Sequence, residues 1–331
     1  MGASEQIKTL IKSFSEGDDD RFYATAMQIA AAEARKGNLA LAEELKKLIK
    51  TSKLGKASNL IEGQSIKRLP VNAAQKELND LLELIHPNVR LVDMVLDKNL
   101  KLSITRILDE QRKSELLLQH NLFPRKKILL AGPPGCGKTM TAHVIAKELG
   151  LPLFVVRLDG LISRYMGESI SKLRLIFDAM HQFRAVYLFD EFDSIGSTRN
   201  IGSEVGEIKR VLNSFLLQIE KDDSNSLIIA ATNMPHVLDE ALFRRFDELI
   251  IYPLPTKKEI GQLYKRLLSS YSDESFSIEA VSEKSLGLSF AEIQKISEDY
   301  LKFIFIYNDP GSAYNQMLIN IEHRKHRYYN K

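Results

Sequence analysis

Residues 126–140 read KKILLAGPPGCGKTM, and no other stretch restricts the fold of this chain as tightly. Ile128, Leu129 and Leu130 make the short apolar run that a buried strand needs. The run breaks at Gly132-Pro133-Pro134-Gly135, and a helical pattern resumes at Lys138. Strand, glycine-rich turn and helix is the context in which G-x-x-x-x-G-K-[ST] forms a phosphate loop. Glycines let successive backbone N–H groups turn inward around an anion, and the helix that follows aims the positive end of its dipole there. The cradle expected around a nucleoside triphosphate runs through Pro134, Gly135, Cys136, Gly137, Lys138, Thr139 and Met140. Lys138 would reach the β- and γ-phosphates, and Thr139 would offer its hydroxyl to Mg²⁺. Cys136 stands where a small side chain is sufficient, which makes it a packing residue and not a redox switch.

Composition sets the remaining bounds. At 331 residues the chain is long enough for two or three domains, and 44% hydrophobic with 27% charged residues is an ordinary globular balance. No apolar run approaches the roughly 18 residues of a membrane span, and the start MGASEQIKTL lacks the basic-then-apolar pattern of a signal peptide. One cysteine allows no internal disulfide framework, so a reducing cytoplasm is the expected setting. A net charge of +3 is too small to imply nucleic acid.

Read in order, residues 1–52 suggest a helical module in which Ile7, Leu10, Ile11 and Phe14 share a face. It is either a packing extension or a module that recruits a substrate or adaptor. Residues 53–99 suggest a linker and connecting helices, interrupted at His86-Pro87, and a helix over 100–120 enters the next region. Residues 100–253 form the expected large α/β nucleotide-binding subdomain. Its strands fall at 127–131, 153–158, 185–190, 226–232 and 248–252, and its helices at 138–149, 169–181, 204–220 and 238–245. Short apolar strands alternating with amphipathic helices imply a parallel sheet covered on both faces. Leu173, Ile176, Phe177 and Met180 form one core-facing stripe, and Ile208, Val211, Leu212, Phe215, Leu216 and Ile219 another. Pro253 and Pro255 mark a boundary, after which 254–320 read as an all-helical lid and 321–331 as a basic tail. Such tails are usually solvated, and nucleic-acid contact is the lesser alternative.

Further chemistry clusters at strand ends. The strand ending Tyr187-Leu188-Phe189 runs into Asp190 and Glu191, at the edge where open α/β sheets bind ligands. Asp190 suits organisation of Mg²⁺, and Glu191 suits orienting and deprotonating an attacking water. Asn233 ends the neighbouring strand and offers an uncharged amide to the same water or the γ-phosphate. Arg244 and Arg245 lie side by side in ALFRRFDE. They suit stabilisation of phosphoryl charge from a neighbouring copy, or else a local pairing with acids such as Asp247.

GPPGCGKT, LFDEFD, AATN, ALFRRFDE and SRYMGESISKLRLIFD occur here in an order and spacing that resembles the AAA family of ATPases over about 100–305. The resemblance implies a large α/β subdomain, a small helical lid, and a ring, usually a hexamer, with ATP and Mg²⁺ between subunits. It makes Asn233 the polar sensor and Arg244 and Arg245 candidate fingers acting on a neighbour's ATP. Tyr165-Met166-Gly167 matches the loop that lines the pore of such rings and grips an extended polypeptide. Gly287-Leu288-Ser289-Phe290-Ala291-Glu292-Ile293 resembles the lid pattern of members that remodel proteins, which favours a protein substrate over DNA. The family's usual Arg-Pro-Gly-Arg-Phe-Asp is shortened here to Arg244-Arg245-Phe246-Asp247, so the two arginines stay open as candidates. The whole-chain pattern also looks like bacterial members paired with a separate subtilisin-like serine protease in plasmid-maintenance and phage-defence settings. The rivals are an ATP-controlled switch or scaffold and a DNA-directed loader.

Overall fold

The computed structural model describes residues 73–161, 168–193, 204–235, 240–269, 271 and 276–329. It also describes residues 25–27, 29, 30, 32, 38 and 43, all helical except Asn38. Most of the N-terminal module, residues 53–72 of the expected linker, and the loop carrying Tyr165, Met166 and Gly167 lie outside the described residues.

From Pro70 onward the chain forms a compact unit built on a six-stranded sheet, ordered β1-β3-β4-β5-β2-β6. The strands are β1 (Leu82–Ile85), β2 (Lys127–Ala131), β3 (Leu153–Val156), β4 (Val186–Phe189), β5 (Leu227–Thr232) and β6 (Glu248–Ile251). All pairs from β3 to β6 are parallel. Alternate residues of the strands face opposite layers, as a pleated strand buried on both sides requires. Leu129, Tyr187, Phe189, Ile228 and Ala230 face one core, whereas Ile128, Leu130, Val186, Leu188, Ile229 and Ala231 face the other.

The first layer is covered by α1 (Ala73–Leu81), the short α5 (Leu158–Leu161), α6 (Glu168–Gln182) and α7 (Glu204–Lys221). The stripe Leu173, Ile176, Phe177 and Met180 is buried there, as are Val211, Phe215 and Ile219. Phe215 is the hub of this layer, with the rings of Phe177, Phe189 and Phe192 centred 5.9, 5.0 and 4.7 Å away. Truncating so enclosed an aromatic side chain costs about 3–5 kcal/mol. The second layer is covered by α2 (Lys98–Arg112) and α4 (Lys138–Leu149), with the short α3 (Ser114–Gln119) following α2.

One expectation fails at the sheet edge. The sheet is mixed and not purely parallel, because β1 adds antiparallel to β3 with Leu82 opposite Val156 and Ile85 opposite Leu153. Residues 82–85 have the composition of a helix, and the sequence predicts a connecting helix there. The open edge of β3 offers backbone partners that outweigh a local preference worth only tenths of a kcal/mol per residue. Residues 86–97 then run as a strap with one 3₁₀ turn at Leu91–Asp93 before α2 begins.

After the short α8 (Glu240–Phe243) and β6, the chain enters a helical unit with its own core. It comprises α9 (Lys257–Leu268), α10 (Ile278–Lys284), α11 (Phe290–Tyr307) and α12 (Pro310–Tyr329). Thr256 caps α9, and Glu259 reaches back to the Thr256 N–H at 2.8 Å, a capping box that fixes where the lid starts. Ile260, Tyr264 and Leu268 of α9 enter the lid core, whereas Leu263 and Leu267 are only partly buried. The basic segment from residue 321 continues α12. There Arg324 bonds to Glu292 at 2.9 Å and to Asp299 at 3.4 Å, so part of its charge serves to hold α12 on α11.

Candidate functional site

β2 lies between β5 and the edge strand β6, and the loop after it opens at the carboxyl edge of the sheet. Two close approaches depend on the absence of a side chain. Gly132 has φ +147° and its α-carbon passes so near β6 that an added Cβ would lie 2.1 Å from the Tyr252 carbonyl oxygen. Gly135 has φ +74°, and a Cβ there would meet Ser289 Oγ at 2.6 Å and Ala291 Cβ at 2.9 Å. That second contact is where the lid touches the loop, since the Ala291 N–H donates to the Gly135 carbonyl at 3.1 Å. Tyr252 closes the other side. Its N–H donates to the Ala131 carbonyl at 2.7 Å, and its hydroxyl shares a 2.5 Å hydrogen bond with Thr141 Oγ1 on α4. Burial pushes the Tyr252 phenol up to about 12, which keeps it a neutral partner.

Lys138 opens α4 and is buried. Its Nζ donates to the Gly132 and Pro133 carbonyls at 2.7 and 2.8 Å and to Asn233 Oδ1 at 2.8 Å, which uses all three ammonium protons. Burial lowers its pKa from the ordinary lysine value, while Cys136, Asp190 and Asp193 act in the opposite direction. Beside it Thr139 Oγ1 donates to Asp190 Oδ2 at 2.7 Å. A hydroxyl and a carboxylate oxygen so placed fit the hard-oxygen preference of Mg²⁺. Among the described residues no group of three or more His, Cys, Asp or Glu side chains forms a metal site of its own. Cys136 is buried against the second core, and burial raises its thiol pKa.

Glu191 follows at φ +49°, a left-handed conformation uncommon for a residue with a side chain. Its N–H donates to Asp190 Oδ1 at 2.9 Å. Glu191, Asp190, Asn233, Met140 and the phosphate loop line one cleft of about 690 Å³, within the range of small-molecule sites. Arg244 and Arg245 are not among the residues lining it. Arg244 is exposed, while Arg245 Nε lies 3.3 Å from Glu220 Oε2 on α7. The alternative pairing with Asp247 does not form; that carboxylate accepts the Lys126 and Lys127 N–H groups at 2.9 Å each and ties β6 to the start of β2.

Sequence reasoning missed the far half of this cleft. The strap contributes Asn88, Val89, Asp93, Met94 and Val95, and the lid contributes Leu263, Arg266, Leu267, Phe290, Ala291 and Gln294. Val89, Met94, Leu263, Leu267 and Phe290 give the cleft an apolar lining that suits a flat base. Arg266 spans the two sides, donating to the Asp93 carbonyl at 2.5 Å and to Asp93 Oδ1 at 3.1 Å. Nothing in the local sequence marks Arg266, which is one of two adjacent basic residues, Lys265 and Arg266, on an amphipathic helix. The Arg90 N–H first, and Arg266 after it, hold the Asp93 carboxyl below its usual range. Arg266→Ala is expected to raise the Kd for ATP roughly three- to tenfold, since exposed ion pairs contribute little but this one also holds a backbone carbonyl. Titration of a fluorescent ATP analogue measures it.

Residues 128–254 match the model of the ATPase family associated with various cellular activities (AAA). The chain is 36% identical over 306 residues to an uncharacterized AAA family ATPase, y4kL, of Sinorhizobium fredii, covering 92% of this chain and 90% of that one. It is 38% identical over 187 residues to a katanin p60 ATPase-containing protein (the A-like 1 form) of Rattus norvegicus, spanning 53% of this chain and only 38% of that relative's length. The same figures hold for the Homo sapiens protein of that name. The crystal structure of the FIGL-1 AAA domain superposes with a TM-score of 0.60 at 21% identity, covering 77% of this chain and 91% of that one. That last likeness concerns the fold alone.

Proposed function

The chain belongs to the AAA family of ATPases, and from that premise we propose that it works as a ring of copies that uses ATP to remodel a protein. It is an ATP hydrolase that uses ATP with Mg²⁺. The observation that carries the assignment of roles is convergence: Lys138, the Thr139–Asp190 pair, Glu191 and Asn233 come from three neighbouring strand ends and meet in one cleft. Lys138 and the loop N–H groups bind the β- and γ-phosphates. Thr139 and Asp190 hold Mg²⁺, which supplies charge neutralisation on the phosphate oxygens when bound. Glu191 orients a water and takes its proton, and Asn233 orients the γ-phosphate side of the same reaction.

Among the described residues that line the cleft the one arginine is Arg266, which is engaged with Asp93, and this supports completion of the site by a neighbouring copy. We assign that role to Arg244, the exposed member of the pair, and a packing role to Arg245 beside Glu220. A head-to-tail arrangement that closes, six copies by the resemblance, lets each protomer serve the next.

In this reading Tyr165, with Met166 and Gly167, grips an extended polypeptide in the central channel. The names of the relatives do not specify what this chain acts on, and the reading rests on the Tyr-Met-Gly sequence and the lid pattern. A reducing cytoplasm is the proposed setting. A separate serine protease, in a defence system, is the finer proposal for the partner. Tyr165→Ala is expected to retain ATP hydrolysis within about threefold and to lose substrate processing roughly tenfold or more. Pull-down with a Glu191→Gln trap identifies the substrate first. Unimpaired processing by Tyr165→Ala overturns threading, and a trap that holds no protein overturns the remodelling reading.

A further inference from the structure

Glu191 and Asn233 do their proposed work from the tips of different strands, β4 and β5, so something must hold those tips in register. The loop after β4 is fastened to β5 at two consecutive residues. The Phe192 N–H donates to the Ala231 carbonyl at 2.8 Å, and its ring is buried against Phe215. Asp193 Oδ1 then accepts from Thr232 Oγ1 at 3.1 Å and from the Asn233 N–H at 3.0 Å. Thr232 Oγ1 in turn accepts the Met234 N–H at 3.1 Å, which fixes the hydroxyl so that its proton points at Asp193. One carboxylate oxygen thus gathers the tip of β5 on both sides of the Thr232–Asn233 peptide.

Two consequences follow from this geometry. Asn233 is held through its backbone while its side-chain oxygen accepts the Lys138 ammonium, so its position is set from both ends. Glu191 is held in its left-handed conformation because the chain on its far side is pinned to β5 at Phe192 and Asp193. Without these fastenings a conformation that costs of order 1–3 kcal/mol would relax and carry the carboxylate away from the cleft.

We propose that Asp193 is a positioning residue for ATP hydrolysis, a hydrogen-bond acceptor that fixes the water-orienting Glu191 relative to Asn233. The inference rests on the roles proposed above for those two residues. What the site requires of Asp193 is an acceptor oxygen at the right place, not its negative charge. Asparagine presents a carbonyl oxygen to the same two donors, whereas alanine presents nothing.

The test uses the full chain and compares Asp193→Ala, Asp193→Asn, Thr232→Val and Glu191→Gln. Each is read by steady-state kcat, by the affinity of a fluorescent ADP analogue and by the melting midpoint. A misplacement on the ångström scale lowers rates up to roughly a hundredfold. Asp193→Ala is therefore expected to lower kcat about 10- to 100-fold, with nucleotide affinity unchanged within roughly threefold. Asp193→Asn should restore kcat to within about threefold of the unmodified chain. Thr232→Val removes one donor and should lower kcat with binding retained, so it carries the test if the alanine variant does not fold. A wild-type rate in Asp193→Ala, an asparagine variant as slow as the alanine one, or a loss of nucleotide affinity in proportion to kcat each overturns the inference. Glu191→Gln keeps the two questions apart. If it alone is slow, Glu191 retains its role and the positioning claim fails; if it turns over normally, the role of Glu191 fails whatever Asp193 does.

Discussion

Lys138→Ala is expected to abolish measurable ATP binding. The Nζ of Lys138 is buried at the head of α4, and each charge-assisted hydrogen bond to phosphate contributes about 1.5–3 kcal/mol. Losing two such bonds raises Kd by roughly a hundredfold or more. The fold should survive. The Gly132 and Pro133 carbonyls lose one donor, a cost of about 1–3 kcal/mol that water entering the cleft offsets in part. Isothermal calorimetry with ATP and magnesium, alongside a melting curve, separates the two effects. Unchanged affinity would show that the phosphates lie elsewhere.

Glu191→Gln has the second large effect, and it falls on turnover and not on binding. The amide keeps the size of the side chain and tolerates the same left-handed backbone about as well as glutamate. It cannot take a proton from water, so kcat is expected to fall roughly 10²- to 10⁴-fold. Nucleotide affinity should remain within about threefold, because the groups that hold the phosphates are untouched. Single-turnover hydrolysis by rapid quench gives the chemical step directly. A chemical step as fast as in the unmodified chain would remove Glu191 from the proton-transfer role.

The near half of the site was legible because local sequence controls it. A strand that ends in glycines and a helix that starts with lysine place Lys138 and Thr139 with little help from elsewhere, and the apolar run before Asp190 brings that carboxylate to the same sheet edge. The far half was not legible because it is assembled from distant segments. Met94 and Leu263 line one cleft although they are far apart in the chain, and neither stands out from ordinary core residues in the sequence. The edge strand β1 was hidden for the same reason: Leu82-Glu83-Leu84-Ile85 becomes a strand only because β3 presents an unpaired edge. Asp193 is a different case. It was visible in LFDEFD, but its partners Thr232 and Asn233 become neighbours only when β5 is laid beside β4.

The arginine pair shows how structure narrows a choice that spacing leaves open. Arg244 and Arg245 are adjacent in sequence, and either suits phosphoryl charge. In the folded chain Arg245 is set against Glu220, Asp247 is committed to the start of β2, and Arg244 faces outward at the turn after α8. None of these three groups lines the chain's own cleft. On the proposed reading a neighbouring copy completes the site with Arg244, and loss of such an arginine finger lowers rates by about 10³–10⁵.

Mixing two inactive variants tests that incompleteness directly. Lys138→Ala has no nucleotide cleft of its own but keeps Arg244, and Arg244→Ala keeps the cleft but cannot serve its neighbour. Each alone is expected to be inactive, and an equimolar mixture should regain hydrolysis at roughly a quarter of the interfaces, as random head-to-tail assembly requires. A mixture that stays at the sum of its two parts would contradict a site shared between copies.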